Sequence, residues 1–185
     1  MKKYYIIIPL YNDWKSLWKL SKAIDDQVKD LNLKFSFLFI NDASIDKQPS
    51  NLNLKNIESV TILHLKKNVL SGRGIATGLK YLVENENFDD VIVMDADGED
   101  KPEDIMQFIR ASINNSDKTI VAIRAKRNVS SLYLILYNIH IFLTYIFTGQ
   151  FIKFGNFVLL PNKHVNLITT DASIWSCFSS SIVKN

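Results

Sequence analysis

One short stretch restricts the folds open to this chain more than any other. Residues 91–94 are four consecutive apolar residues, and the acidic segment 95–100 follows them at once. An apolar run of this length is typical of a strand buried on both faces, as in the centre of a parallel sheet. Alternate side chains of an extended chain point the same way, so Asp95 and Asp97 are expected to lie on one side. The stretch therefore predicts a buried strand that carries two carboxylates to the end of a sheet.

Those two carboxylates suggest a metal site. Carboxylates held close together repel unless a proton or a cation lies between them. With Glu99 nearby, Asp95 and Asp97 form a set of hard oxygen ligands that suits Mg²⁺ or Mn²⁺, ions that also take oxygens from substrate phosphates. Gly98 permits a turn, and Pro102 suits the first turn of a helix. The alternative, which a lone Asp-x-Asp leaves open, is that the acids only cap that helix.

Apolar runs and amphipathic stretches alternate along the rest of the chain. The spacing predicts strands at 4–8, 35–40, 59–65, 91–94 and 119–123, and helices at 14–31, 71–86 and 103–113. This alternation predicts an α/β fold, with a Rossmann-like, mostly parallel sheet and helices on both faces. Ligands of such sheets bind outside the carboxyl ends of the strands. We expect four polar clusters to meet at that edge, namely 9–13, 41–46, 95–99 and 124–127.

The composition excludes several classes of protein. The chain has 185 residues, of which 47% are hydrophobic and 22% charged, values typical of one globular domain with a sizeable core. A net charge of +3 without a dense basic stripe argues against a nucleic-acid partner. The single cysteine cannot form an internal disulfide, which agrees with a reducing compartment. The first apolar run is too short for a signal peptide and is predicted to be the first strand.

Five motifs in order resemble the family 2 glycosyltransferases, which have the GT-A fold. Residues 6–12 look like their first strand and P-x-Y-N turn, 41–46 like their D-D-G-S-x-D, and 95–97 like their D-x-D. After Arg124 and Arg127, residues 154–160 are similar to the G-D-F-x-L-x segment of the polyprenyl-phosphate sugar transferases, the group that includes dolichol-phosphate mannosyltransferases. The resemblance covers about residues 4–170. It implies a GT-A domain at 1–170.

This resemblance implies a reaction and a set of site residues. The reaction is the metal-dependent, inverting transfer of a sugar from a nucleotide-diphosphate sugar to an acceptor. The residues that would contact the donor are Pro9, Tyr11, Asn12, Asp13, Asp42, Asp95, Ala96, Arg124 and Arg127. Asp42 would accept a hydrogen bond from the base, and Asp95, Asp97 and Glu99 would hold Mg²⁺ or Mn²⁺. Asp97, through the metal, and Arg124 would stabilise the leaving diphosphate. No catalytic base is assigned.

Three departures from the family pattern keep alternatives open. Asn41 replaces the first acid of its motif, and Asn156 replaces the acid of G-D-F. Relatives continue with acceptor-side residues and membrane helices, so 171–185 is expected to begin an incomplete acceptor-side or membrane-proximal part. One alternative is therefore a truncated, non-catalytic remnant that binds nucleotide sugar or serves as a partner-dependent subunit. Another is a nucleotidyltransferase, which would need a basic loop after the first strand, where Lys15 is the one basic residue.

A long uncharged segment suggests where the acceptor would lie. Residues 128–152 contain no Asp, Glu, Lys or Arg, and their length approaches that of a membrane span. Four polar side chains interrupt the segment, namely Asn138, His140, Thr144 and Thr148. This pattern favours a helix in the membrane interface, or one packed on the sheet, over a spanning helix. With the resemblance, it predicts a peripheral enzyme at the cytoplasmic face of the membrane, using a polyprenyl-phosphate acceptor.

Overall fold

The computed structural model describes residues 1–50, 52–123, 131–149 and 154–184. The strands in this part of the chain are β1 (Lys3–Leu10), β2 (Lys34–Asn41), β3 (Ser59–His64), β4 (Asp90–Val93), β5 (Ile120–Val121) and β6 (Val158–Pro161). The α-helices are α1 (Trp14–Val28), α2 (Ser71–Asn85), α3 (Asp104–Asn114), α4 (Ser131–Thr148), α5 (Asn162–Thr170) and α6 (Phe178–Lys184), with a 3-10 helix at Ala172–Trp175. Each predicted helix and strand is confirmed, with ends that shift by up to three residues.

The strands form one mixed sheet in the order β3-β2-β1-β4-β6-β5. The pairs β3–β2, β2–β1 and β1–β4 are parallel, whereas β6 runs antiparallel between β4 and β5. This arrangement confirms the α/β prediction of a mostly parallel sheet with helices on both faces. Strand β6 was not predicted, because four apolar residues beside a turn carry too little periodicity to distinguish a strand from a helix.

The first strand, predicted at 4–8, continues through Pro9. Strand β1 continues to Leu10, and Pro9 pairs with Ile40 of β2. The β1–β4 ladder has already ended at the Ile7–Val93 pair, where the carbonyl of Ile7 still accepts from the next residue of the β4 chain. Alternate residues face the same neighbour, so the missing N–H of Pro9 lies on this unpaired side and costs no ladder hydrogen bond.

Two apolar layers cover the sheet. Helices α1 and α3 pack on one face, and α2, α5 and α6 pack on the other. Glycines in a helix can allow close packing against a strand, and α2 has three, Gly72, Gly74 and Gly78. Such packing occurs at Gly78, where an added Cβ would lie 2.8 Å from the Ile40 side chain, but not at Gly72, where nothing lies within 4 Å. Close packing of α2 holds its N-terminal end beside the carboxyl ends of β1 and β2.

An ion pair between a partly exposed lysine and a buried aspartate lies at the opposite, amino edge of the sheet. Asp90 begins β4 and is 2% exposed, and Lys2 Nζ lies 2.6 Å from its carboxylate. Burial raises the pKa of Asp90, and the hydrogen bond to Lys2 offsets only part of this effect. Burial also disfavours the charged form of Lys2, but its contact with Asp90 outweighs this and raises the Lys2 pKa. The pair therefore belongs to the stability of the sheet and lies away from the ligand-binding edge.

Helix α4 presents an apolar surface to solvent. The exposed large hydrophobic side chains of α4 are Leu136, Ile139, Phe142, Leu143, Tyr145 and Ile146, and the polar Asn138 is exposed as well. Leu136, Ile139, Phe142, Leu143 and Ile146 recur at helical spacing along one side. Ile141, by contrast, is buried. Within the described ranges, no helix combines the length and the apolar character needed to cross a bilayer. This surface is named the α4 apolar face below.

Candidate active site

The acidic turn after β4 is held by its own side chains. The backbone N–H of Asp95 donates to Asp100 Oδ2 at 2.9 Å, and the N–H of Glu99 donates to Asp97 Oδ1 at 2.9 Å. Gly98 takes a φ of +84°, a conformation that glycine adopts without strain. Asp100 is 4% exposed, so its carboxylate closes the turn from inside the protein. These contacts hold Asp95 and Asp97 at the carboxyl end of β4, as the sequence predicted.

Asp100 was not predicted as part of this turn. Its sequence signal was the fourth acid of the 95–100 segment, and that segment was interpreted only as generally acidic. Being buried, its carboxylate must accept hydrogen bonds to offset the loss of water, and the N–H of Asp95 is one such donor. Asp100 thus shapes the turn without lining the pocket described below.

A second pair of loops meets beside this turn. Asn12, with a φ of +53°, accepts from the backbone N–H groups of Ile45 at 2.7 Å and Asp46 at 3.3 Å. Its own N–H donates to Ser44 Oγ at 2.9 Å. Asn12 was predicted to contact substrate, but its side chain joins the loop after β1 to the loop after β2. Its place is therefore in the wall of the site and not in the pocket lining.

Asp42 joins a third segment to the same edge. This residue is 4% exposed, and its two carboxylate oxygens accept from the backbone N–H groups of Val69 at 2.7 Å and Leu70 at 2.9 Å. Leu70 is held at φ +71° and ψ 158°, a backbone conformation that residues other than glycine rarely adopt. Each carboxylate oxygen can accept a second hydrogen bond, so these contacts leave room for a ligand. Asp42 thus positions the start of α2 while facing the pocket.

The predicted residues converge on one pocket of about 300 Å³. It is lined by Pro9, Leu10, Tyr11, Asp13, Asp42, Ser71, Asp95, Ala96 and Asp97. Seven of these nine were predicted from the sequence. Leu10 lies between two predicted residues, and Ser71 was missed because the first residue of a helix carries no motif that separates a ligand contact from a cap. A second hollow of about 350 Å³, between β3, α2 and Trp175, contains none of the predicted residues.

The pocket is rich in negative charge. Four of its lining residues are aspartates, and its described lining contains no lysine, arginine or histidine. Asp13 also caps α1 by accepting from the N–H of Ser16 at 3.1 Å. An anionic ligand such as a diphosphate enters this field only with a cation that offsets the carboxylates. Arg124 and Arg127, predicted to face phosphate, lie outside the described residues.

The carboxylates in the pocket fit a divalent cation. Asp95 and Asp97 both line it, whereas Glu99 is exposed and lies outside the lining. Among the described residues, no three or more His, Cys, Asp or Glu side chains surround one metal position. Mg²⁺ commonly uses one or two carboxylates and completes its shell with water and phosphate oxygens. The pair Asp95 and Asp97 meets that requirement without a third protein ligand.

Asn156, two residues before β6, contacts the site through Asp95. Its Nδ2 lies 3.2 Å from both carboxylate oxygens of Asp95. An acid was expected here from the resemblance, so the role of position 156 was in doubt. The amide supplies a donor to Asp95 and cannot take up a proton as a base would.

Comparisons with known proteins identify the family. The sequence profile described as Glycosyl transferase family 2 matches residues 5–167. TarS 1-349 from S. aureus superposes with a TM-score of 0.56 at 15% identity, covering 99% of this chain and 56% of that one. A mycobacterial protein superposes with a TM-score of 0.57 at 11% identity, covering 88% and 54%. No curated protein matches the sequence. The chain spans little more than half of each matched structure, and at such low identities these two likenesses concern the fold.

The profile match extends over most of the chain and includes the loops that form the pocket. The six-stranded α/β sheet with helices on both faces agrees with the GT-A fold of the structural neighbours. The chain belongs to glycosyl transferase family 2.

Proposed function

We propose that this chain is a metal-dependent, inverting glycosyltransferase that takes its sugar from a nucleotide-diphosphate donor. The pocket at the carboxyl ends of β1, β2 and β4 supports this most strongly, because six of the nine residues that the resemblance assigns to the donor line it. Its volume of about 300 Å³ lies at the lower end of the range for small-molecule sites. The membership of the family supports glycosyl transfer as the reaction class.

In this proposal Asp95 and Asp97 hold Mg²⁺ or Mn²⁺. The bound metal supplies positive charge that stabilises the diphosphate as it leaves. The two carboxylates orient the metal, while the buried Asp100 keeps their turn in place. Glu99 would reach the ion only through a rearrangement or a water, since it lies outside the pocket lining. Arg124 and Arg127 are proposed to face the phosphates from the segment that follows β5.

The nucleoside is proposed to bind on the β1 and β2 side of the pocket. Pro9 and Tyr11 provide apolar and aromatic surface there, and the Tyr11 side chain is 48% exposed. A base that stacks on this ring removes apolar area from water on both partners. Asp42 would accept a hydrogen bond from the base through a lone pair that the backbone N–H groups of Val69 and Leu70 leave available.

The proposed acceptor is a polyprenyl phosphate, with the protein bound peripherally to the cytoplasmic face of a membrane. The α4 apolar face supports this, because exposed apolar side chains at helical spacing suit insertion at the headgroup boundary. The sequence places Arg124, Lys126 and Arg127 just before α4, and basic residues in that position attract anionic lipid. An acceptor phosphate is already ionised near neutral pH, which fits a site whose residue 156 is an amide.

The donor proposal is tested by calorimetric titration with UDP- and GDP-sugars, each with and without Mn²⁺. We expect binding that requires the metal and that Asp97→Asn abolishes, because that variant removes one of the two metal-binding carboxylates. Asp30→Asn, an exposed aspartate just beyond α1, serves as the matched control and should bind as the wild type does. Unchanged affinity in a folded Asp97→Asn variant would contradict the metal assignment. Absence of binding to every donor would favour the non-catalytic alternative.

The membrane proposal has its own test. Co-sedimentation with vesicles of neutral lipid alone and with added anionic lipid should show binding that rises with the anionic fraction. The double variant Phe142→Asp/Ile146→Asp should reduce that binding, because it places two charges on the α4 apolar face. Equal sedimentation of the wild type and this variant would contradict a role for α4. A shift of the wild type to a dimer in gel filtration, without vesicle binding, would assign the face to a second copy instead.

A further inference from the structure

The antiparallel register of β4 and β6 brings Asn156 opposite Asp95. Val93 pairs with Val158 at the end of the ladder. Asp95 lies two residues after Val93, and Asn156 lies two residues before Val158, so the antiparallel direction places them opposite each other. Both valines belong to the apolar layer under α2. Side chains alternate along a strand, so the polar pair continues the same row beyond the end of the ladder. The register thus brings the two residues together just beyond the ladder, where Asp95 follows β4 and Asn156 lies in a bend before β6.

The geometry of the contact restrains the Asp95 carboxylate. Nδ2 of Asn156 lies 3.2 Å from Oδ1 and 3.2 Å from Oδ2, so the amide faces the carboxylate symmetrically. Hydrogen bonds of this length are at the long end of the normal range, but the acceptor is charged. A carboxylate at position 156 would instead repel Asp95 and would require a proton or a cation between them. The amide therefore restrains the orientation of the Asp95 carboxylate without adding a charge beside it.

The backbone around Asn156 is well supported. The next residue, Phe157, is 5% exposed, and its ring packs on Phe108 of α3 with the ring centroids 4.5 Å apart. The carbonyl of Phe157 also accepts from the N–H of Ala122, which follows β5. The amide is thus anchored by the sheet and by α3, as a group must be if it is to hold a pocket residue in one orientation.

We infer that Asn156 is a positioning residue, which holds the Asp95 carboxylate toward the pocket and sets the affinity of the Asp95–Asp97 site for a cation. The inference rests on the proposed function, because Asp95 is the residue that would touch the donor and the metal. Asn156 acts through Asp95 and needs no contact with substrate itself. With the neutral amide at position 156, residues 95 and 156 together carry one negative charge, whereas an acid at position 156 would give two.

Two substitutions at this position separate positioning from a merely structural role. Asn156→Asp keeps the size of the side chain, removes the donor and adds a charge, so we expect Mn²⁺ alone to bind about tenfold more tightly than to the wild type. Asn156→Ala removes the donor and adds no charge, so nucleoside diphosphate at saturating Mn²⁺ should bind about tenfold more weakly. Asn166→Asp, an exposed asparagine on α5, is the matched control and should change neither affinity.

The measurements are loss of the free Mn²⁺ signal in electron paramagnetic resonance and calorimetry with UDP and GDP. Circular dichroism checks that each variant is folded. Wild-type affinities for both Mn²⁺ and nucleotide in folded variants would overturn the inference. If the wild type binds no nucleotide at any metal concentration, the proposed function fails, while the Mn²⁺ arm still decides whether Asn156 controls the charge at Asp95. A gain in Mn²⁺ affinity for Asn156→Asp supports the inference in either case.

Discussion

The carboxylate of Asp42 is expected to be a principal source of stability at the candidate active site. Asp42→Ala removes the acceptor for the N–H of Val69, 2.7 Å away, and one of two acceptors for the N–H of Leu70, 2.9 Å away. The Leu70 N–H keeps its second contact, to Asn68 Oδ1 at 3.1 Å. Hydrogen bonds to a charged group contribute about 1.5–3 kcal/mol each, so two of them set an upper range of about 3–6 kcal/mol. Two effects reduce this figure. Water can reach the exposed Leu70 backbone in the variant, and the strain at Leu70 is then released.

We therefore expect Asp42→Ala to lower the free energy of unfolding by about 2–3 kcal/mol. Asp42→Asn retains one acceptor oxygen and should lose about half as much. Urea denaturation followed by circular dichroism measures both values, with Asp30→Ala as an exposed aspartate control. A loss below about 0.5 kcal/mol for Asp42→Ala, in the range of an ordinary surface change, would refute the reasoning.

A double-mutant cycle makes the same argument sharper. If Asp42 imposes the conformation of Leu70, then Leu70→Gly should stabilise the wild type more than it stabilises Asp42→Ala. The two residues share hydrogen bonds, so their effects should not add. Additive effects would show that the Leu70 conformation has another cause.

Three further predictions concern stability. Leu70→Gly should raise the free energy of unfolding by about 1 kcal/mol, because the strain relieved at φ +71° exceeds the added backbone entropy of glycine; chemical denaturation tests this. Gly78→Ala should lower the free energy of unfolding by about 1–3 kcal/mol through overpacking against the strand. Gly72→Ala has open space around its added Cβ and should stabilise α2 slightly. If the melting temperatures of the two variants change in the same direction, the packing argument is contradicted. Lys2→Met should cost about 1–3 kcal/mol at neutral pH by leaving the buried Asp90 carboxylate unpaired. The pKa of Asp90 is raised above 3.8, so Asp90 takes up a proton as the pH falls through its folded-state pKa, and the cost of Lys2→Met should then shrink. Denaturation curves that give a constant cost from pH 7 to pH 4 would contradict this role of the Asp90 charge.

The residues of the pocket were largely predictable because their signals are local. An apolar run that ends in Asp95 and Asp97 indicates a strand whose carboxyl end is functional, and the same holds for Pro9 and Asp42. Asp100 and Ser71 were missed, since neither differs in sequence from an ordinary turn or helix-start residue. Their roles depend on burial and on which loop lies opposite, and a single sequence contains neither.

By itself, the sequence determined which segments are strands and helices, and at which ends of the strands the polar residues collect. These properties follow from periodicity and turn chemistry within about ten residues. The tertiary structure alone decided the strand order and the insertion of β6 antiparallel beside β4. Strand pairing joins positions far apart in the chain, as in the Val93–Val158 pair of β4 and β6. It also brings together the loops at the strand ends, as in the Asn156–Asp95 contact across 61 residues and the Asp42–Val69 contact across 27. The register of such pairs minimises the free energy of the whole sheet, which no local pattern encodes.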